Sequence, residues 1–351
     1  MMLTLERQML HLQQVSRSFA LTIPLLPATL ADWVGHAYLL CRIVDTIEDD
    51  AQMDCASKQT HLQRWVEVLT DPATAAGWTD QLLALLGPQT PAAERALVAD
   101  IPAVLARFAS YPPAVQQVLR RGVTIMSQGM AAQQLASAPQ TQHDLDRYCY
   151  AVAGVVGELL TELFCLYCPA LVARRDQLFP LAVAFGEGLQ LTNILKDIGE
   201  DAARGVCWLP AEALQAAGLE AASLAHATAS RRAELLTPLL GITHGYLRAA
   251  LSFTLLLPAR EQGMRQFCLL AIALALPTLD NIRRQPGFRS GQAVKVSRRQ
   301  VKAIVIACRL AGRSDTLLRA GFAWLGRHLP TAEVDCAHLW QRVSRWESLP
   351  S

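Results

Sequence analysis

Asp45-Thr46-Ile47-Glu48-Asp49-Asp50 and Asn193-Ile194-Leu195-Lys196-Asp197-Ile198-Gly199-Glu200-Asp201 are two short acidic runs, each a D-x-x-x-D set in an apolar, helix-like context. On a helix, carboxylates four apart lie one turn above one another on the same face. Asp45 with Asp49, and Asp197 with Asp201, can therefore each converge on a shared ligand. Like charges held that close repel unless a cation lies between them. Hard oxygen donors of this kind suit Mg2+, which bridges a few carboxylates to substrate phosphates and keeps several waters. One such run alone reads as a solvated helix face. Two in one chain, each with a basic neighbour, Arg42 or Lys196, point instead to a metal-bridged diphosphate site. Arg42, one turn before Asp45, has two readings: a contact to a diphosphate oxygen, or a simple intrahelical ion pair.

Working outward from these runs, apolar residues recur three and four apart over long stretches, and clean β-branched alternation is absent. The chain reads as all-α. Breaks are expected at 24–27, 71–77, 87–91, 111–113, 138–139, 205–210 and 285–291, where Pro, Gly and small polar residues cluster. None is long or biased enough for an interdomain linker. The expected architecture is therefore a single helical domain over 1–351, with a core at about 16–305 and a C-terminal helical extension at 306–351.

Residues 32–50 read as a helix with Asp32 as N-cap and Trp33, His36, Ala37, Leu40, Ile43, Val44 and Ile47 as its buried stripe. Residues 148–167 read as a nearly uncharged helix whose early turns, 151–157, are mainly small residues. Residues 178–201 carry the second acidic run at a helix C-terminus, where the helix dipole disfavours carboxylates and calls for a compensating cation. Residues 267–276 read as a buried helix ahead of a basic segment, 283–299.

The 351 residues and a hydrophobic content of 52% permit a large core. Lys+Arg of 32 against Asp+Glu of 30 leaves a net charge of +2, which argues against nucleic acid as a partner. Nine cysteines, odd in number and without framework spacing, fit reduced buried thiols. Cys165-Leu166-Tyr167-Cys168 lacks the second pair that a structural zinc site needs and reads as a packed helix end, with a redox pair as the other reading. The N-terminus has no continuous apolar core, so it does not read as a signal peptide. The 267–276 run is too short to span a bilayer. A soluble or membrane-peripheral cytoplasmic protein with no transmembrane anchor is expected.

Smaller motifs carry less. Ser16-Arg17-Ser18-Phe19 places an Arg beside two hydroxyls, suited to a phosphate or to a helix start. Tyr148 precedes the small-residue stretch, and a buried tyrosine usually just packs. Ala153-Gly154 and Gly157 allow either close helix packing or room for a long apolar ligand. No G-x-G-x-x-G follows a strand, and Walker A, H-E-x-x-H and G-x-S-x-G motifs are absent from the sequence.

With these residues in view, the chain resembles the squalene and phytoene synthase family of head-to-head prenyl transferases, from about residue 16 to about 305. Ser-Arg-Ser-Phe at 16–19, the block from Tyr38 to Asp50, the block from Tyr148 to Gly154 and the block from Gln190 to Asp197 are similar to the family's ordered blocks. Asp-Thr-Ile-Glu-Asp-Asp at 45–50, Gln266-Phe267-Cys268, Arg289-Ser290-Gly291-Gln292-Ala293-Val294 and Val301-Lys302-Ala303-Ile304 look like the squalene synthase branch. Asp197 to Asp201 followed by Arg204-Gly205 looks closer to phytoene synthases.

The resemblance implies an isoprenoid-synthase helical bundle around an apolar cavity. Two molecules of farnesyl diphosphate would condense there through presqualene diphosphate to squalene, with reduction by NADPH. It implies Mg2+ held by Asp45, Glu48, Asp49, Asn193, Asp197 and Asp201. Ser16, Arg17, Arg42, Gln190, Lys196, Arg204, Phe267 and Arg289 would bind substrate or cofactor. Tyr148, Arg42 and Tyr38 would be catalytic, with Tyr148 in proton removal. Other readings are a non-reductive dehydrosqualene or phytoene synthase, a presqualene diphosphate synthase, and, remotely, a non-catalytic helical scaffold. The expected partner is farnesyl diphosphate, with peripheral membrane contact for product release and a monomeric state. Three positions depart from the squalene synthase pattern: Lys196 stands where Arg is common, and Val206 and Gly287 stand where basic residues are common.

Overall fold

The computed structural model describes residues 2–16, 19–134, 136 and 138–348. Helices account for its regular structure, with no strand among the described residues. The chain forms two compact units. The first comprises Met1–Ala136, Glu158–Ala173 and Arg345–Ser351, and the second Ser137–Gly157 and Arg174–Ser344.

The first unit is organised by the 22-residue helix Ala28–Asp49. Its apolar positions recur at 30, 34, 37, 40, 41, 44 and 47, and buried Leu39 and Ile43 extend them beyond a single stripe. It is accordingly buried on several sides, against the helices Leu5–Val15, Cys55–Thr70, Ala92–Ala99 and Pro113–Gln133. Pro27 occupies the N-cap position, ahead of the expected Asp32 by more than a full turn. Asp32 is therefore not the cap. Its Oδ1 instead accepts from Arg107 Nη2 at 2.7 Å, Tyr111 Oη at 2.8 Å and Gln8 Nε2 at 3.0 Å, a tertiary knot tying three helices. At the other end, Asp50 accepts from the amides of Gln52, Met53 and Gly87, each at 2.9 Å, and from Thr90 Oγ1 at 2.7 Å. The last acid of the first run thus anchors the chain as it leaves the helix.

The second unit is built on three long helices, Arg175–Ala203, Ala229–Leu256 and Gln262–Arg284, in mutual contact. Each carries an internal proline, at 180, 238 and 277. The helix Gln142–Cys149 runs through a π-helical turn, Tyr150–Gly154, into Val155–Tyr167. A Cβ on Gly186 would lie 2.3 Å from the Ala153 carbonyl oxygen, and one on Gly157 would lie 2.2 Å from that of Ala182. Of the two readings of the small-residue stretch, close helix packing is the one realised at these glycines. Cys165 and Cys168 are both buried, at a helix end.

One expectation fails here. The apolar run at 267–276 does not stop at Pro277, because proline sits inside the 23-residue helix Gln262–Arg284. Four helical stretches, Gln142–Tyr167, Pro169–Ala203, Ala229–Leu256 and Gln262–Arg284, are long and apolar enough to cross a membrane by length and composition. The expectation of a cytoplasmic chain without a segment of membrane-spanning character is overturned. The error was to measure the unbroken apolar run instead of the helix that contains it. Between 61% and 72% of each apolar window is buried within the protein.

Candidate active site

The first acidic run occupies the last turns of the Ala28–Asp49 helix. There the unpaired carbonyls of the helix end add to its negative charge. Arg42 answers that charge. Its Nη1 lies 3.6 Å from Asp45 and 3.9 Å from Glu94, and its Nη2 donates to Tyr38 Oη at 2.7 Å. Tyr38 Oη in turn donates to the Val15 carbonyl at 3.4 Å, and its ring packs on Phe19 at 5.1 Å. Lys58 Nζ donates to the backbone carbonyl of Glu48, whose side chain accepts from Gln134 at 3.4 Å.

Burial pushes Asp45 up to about 7, with Asp49 and Glu94 adding to the shift and Arg42 opposing it. Burial and Asp49 push Glu48 up to about 7 as well, against Lys58. Burial is the largest cause in both, and the neighbouring carboxylates add to it. Ser16 is buried, and its Oγ accepts from the Phe19 amide at 3.0 Å, which is the helix-start reading of that motif. Arg17 lies outside the described residues.

The second run ends the 29-residue helix Arg175–Ala203. Gly205, at φ 75°, supplies the left-handed residue that closes the helix: the Val206 amide returns to the Asp201 carbonyl at 2.9 Å, and that of Gly205 to Ala202 at 3.1 Å. Lys196 Nζ lies 3.1 Å from Asp197 and donates to Asn193 Oδ1 at 3.2 Å. Arg204 pairs with Asp201 at 2.5 Å. Burial raises the Asp201 carboxyl, with Arg204 opposing and Asp197 and Glu200 adding.

The basic late segment lies against this helix. A Cβ on Gly199 would meet the Arg289 carbonyl oxygen at 2.0 Å, and one on Gly291 would meet Asp197 Oδ1 at 2.7 Å. Glu200 Oε1 accepts from Ser290 Oγ and from the Gly291 amide, both at 2.9 Å. Residues about 90 positions apart in sequence thus share one surface of the second unit, with the Arg289 side chain exposed.

Tyr148, half-buried, stacks flat on Trp208, with ring centroids 3.8 Å apart and planes 9° apart. Trp208 lines a cavity of about 340 Å³ together with Ile194, Ile198, Asp201, Leu209 and Leu224. This is an apolar chamber with one carboxylate at its wall, in the size range of small-molecule sites. A larger cavity, about 390 Å³, borders His244 and Phe322 and includes neither acidic run. Gln190 is half-buried one turn before Asn193, and Phe267 is buried on Gln262–Arg284, outside the lining of the smaller cavity.

Sequence reasoning missed Trp208, Glu94 and Glu187. Only Trp208 had a local signal, an aromatic placed just after the helix-ending glycine. Glu187 is wholly buried in Arg175–Ala203, and burial holds its carboxyl well above the usual range.

Among the described residues, no three His, Cys, Asp or Glu side chains converge as a ready metal cage. The candidate donors are instead carboxylates at the two helix ends, where burial chiefly and neighbouring acids in addition raise Asp45, Glu48 and Asp201. That fits Mg2+, which relies on substrate phosphates and water to complete its shell.

The described residues are all-α, with two acidic helix ends that each carry a basic partner, Arg42 beside Asp45 and Lys196 beside Asp197. The family profile "Squalene/phytoene synthase" matches residues 12–300. The chain belongs to the squalene/phytoene synthase family, and so to the prenyltransferase-type enzymes of isoprenoid biosynthesis. It is 31% identical over 277 residues to the squalene synthase of Eremothecium gossypii, covering 76% of this chain and 60% of that protein. It is 35% identical over 196 residues to squalene synthase BSS of Botryococcus braunii, covering 54% and 39% respectively. The matched region is thus about two fifths to three fifths of those relatives' length. Among solved structures, TcSQS with the ligand E5700 matches with a TM-score of 0.77 at 23% identity, over 98% of both chains. A dehydrosqualene synthase in complex with a ligand matches at 0.65 and 23%, over 88% of this chain and 96% of that one. At these identities the structural matches speak for the fold alone.

Proposed function

We propose that this protein joins two molecules of farnesyl diphosphate head to head, through presqualene diphosphate, to squalene, using Mg2+ and NADPH. The observation that carries this reading is the pairing of each acidic helix end with its own cation, Arg42 at 3.6 Å from Asp45 and Lys196 at 3.1 Å from Asp197. Such pairs can open toward an arriving diphosphate without leaving buried charge uncompensated.

In this reading Asp45, Glu48 and Asp49, and Asn193, Asp197 and Asp201, are the groups that hold Mg2+. When bound, the metal supplies positive charge to the departing diphosphate. Arg42 and Lys196 exchange their carboxylate partners for diphosphate oxygens, and Tyr38 keeps the Arg42 guanidinium aimed as it does so. Ser16, Arg17, Gln190 and Arg204 complete the polar contacts. Tyr148, held flat by Trp208, handles at its Oη the proton lost as the cyclopropane closes. Ile194, Ile198 and Leu209 provide apolar walls that keep water from the allylic cation. NADPH, when bound, supplies the hydride for the second half-reaction, and Arg289 is the residue offered to its phosphates.

The test is product analysis of the purified protein with farnesyl diphosphate and Mg2+, with and without NADPH. Squalene is expected only with NADPH; presqualene diphosphate alone in its presence sinks the reductive step. Asp45→Asn and Asp197→Asn should each lower kcat by at least about 10²-fold with an unchanged helical signal, in line with the loss of a group stabilising transition-state charge. Retained turnover in both variants removes the metal assignment. A non-reductive reading is favoured by one observation: Arg204, the basic residue nearest to position 206, is tied to Asp201. Dehydrosqualene or phytoene formed without NADPH would decide for it.

A further inference from the structure

Two arginines of the second unit are almost wholly buried, and their surroundings differ sharply. Arg265, 3% exposed, is fully provided for: its Nε and Nη2 donate to the Leu257 carbonyl at 2.9 and 2.7 Å, and its Nη1 pairs with Asp315 at 2.7 Å. Arg232, 4% exposed, has its Nε and Nη2 buried with no acceptor. A buried guanidinium without acceptors is among the costliest groups a fold can carry.

The neighbourhood raises that cost further. Arg232 stands in the first turn of the Ala229–Leu256 helix, whose N-terminal end is the positive pole of the helix dipole. Against this, one face of the guanidinium lies over the Phe288 ring, 5.1 Å from its centroid, a cation–π contact that offsets part of the cost. Burial and then the like charge of Arg289 hold Arg232 below the usual arginine range. The adjacent Arg231 has what Arg232 lacks, a carboxylate partner in Glu234 at 3.1 Å. A buried fork of two donors, a second arginine and a positive helix end form the complement of an oxyanion. The Nε–Nη2 edge of a guanidinium matches two oxygens of one phosphoryl group.

We propose that Arg232, with Arg289 and the start of the Ala229–Leu256 helix, forms an oxyanion subsite that takes a phosphoryl group. Two sources offer that chemistry, an isoprenoid diphosphate and a nucleotide phosphate. Only this choice of sources rests on the proposed function; inorganic phosphate tests the subsite by itself.

The experiment is a thermal-shift and calorimetric titration of the full chain in metal-free chloride buffer at constant ionic strength. The probes are inorganic phosphate, inorganic diphosphate and adenosine 2′,5′-bisphosphate. The wild-type protein should gain stability with phosphate along a saturating ligand-linkage curve. Arg232→Gln should weaken phosphate at least tenfold, about 1.4 kcal/mol, and Arg232→Lys should recover part of that loss. In phosphate-free buffer Arg232→Met should melt no lower than wild type, since it removes an uncompensated buried cation. Beyond the phosphate loss, a matching loss for diphosphate but not for the bisphosphate assigns the subsite to the substrate, and the reverse assigns it to the nucleotide; either supports it. No saturable response of the wild-type protein to phosphate overturns the proposal, as does an Arg232→Gln variant that binds all three probes as tightly as wild type. The wild-type arm needs no variant to fold.

Discussion

Gly199→Ala would place a methyl group where the Arg289 carbonyl now sits. The added Cβ falls 2.0 Å from that oxygen and 2.9 Å from its carbon, whereas Cβ contacts under 3.0 Å essentially never occur. Since the obstacle is backbone, the 289–291 segment must retreat by at least 1.0 Å, the difference between 3.0 and 2.0. The bonds at risk are those from Ser290 Oγ and the Gly291 amide to Glu200, each at 2.9 Å. Hydrogen bonds to a charged group contribute about 1.5–3 kcal/mol each, and the exposure of Glu200 puts these at the low end. Against this loss of about 3 kcal/mol, alanine in place of a helical glycine returns about 1 kcal/mol. The net cost of about 2 kcal/mol lowers Tm by only a few degrees in a chain this long. Activity should suffer more, because a displacement of about 1 Å beside a reacting site costs up to about 10²-fold. Circular-dichroism melts paired with steady-state kinetics on farnesyl diphosphate would show kcat/KM down by about 10- to 100-fold with the fold intact. Wild-type kcat/KM together with wild-type Tm would falsify the idea that this contact seats the basic segment against the acidic helix.

Two further outcomes are expected. His36 is wholly buried; its Nδ1 faces Gln8 Oε1 at 3.1 Å, so the ring donates there while Nε2 has no partner. Burial lowers it from 6.5 to about 3, with Arg107 assisting and Asp32 opposing. The unfolded chain therefore takes up a proton below pH 6.5 that the folded one refuses until about pH 3, and stability falls as pH drops through that window. Between pH 7 and 4.5, urea melts of His36→Gln should lose about 2–3 kcal/mol less than wild type; equal losses would exclude a neutral buried ring. Trp208→Leu removes the platform under Tyr148, a stacked pair of about 0.5–1.5 kcal/mol. It should reduce kcat several-fold with KM for farnesyl diphosphate little changed, and Trp208→Phe should restore part of the rate. A change confined to KM would place Trp208 in binding rather than in holding Tyr148.

Legibility in the sequence followed the range of the interactions. The all-α class and the two acidic helix ends were readable because apolar spacing and D-x-x-x-D are local patterns. The start of the first long helix was misread. Asp32 resembles an N-cap, yet its carboxylate serves Gln8, Arg107 and Tyr111, residues 24, 75 and 79 positions away. The 267–276 run looked too short to span a bilayer, yet its helix continues through Pro277 to Arg284. The seat of Arg289 on Gly199, the stack of Trp208 on Tyr148 and the isolation of Arg232 all arise from distant pairings that no window of sequence displays. The choice between close packing and an open chamber at Gly157 likewise needed the opposing backbone of Ala182.

Helix ends usually fray, and this chain places its candidate metal ligands at two of them. Asp50 binds three amides and a hydroxyl beyond the first acidic helix, and Gly205 closes the second with amides returned to Asp201 and Ala202. The backbone entropy of those last turns is surrendered during folding, at about 1–2 kcal/mol per residue. A cation and diphosphate arriving at Asp45 or Asp197 then have only side chains left to order. The ordering cost falls on the stability of the protein and is spared from its affinity for the ligand.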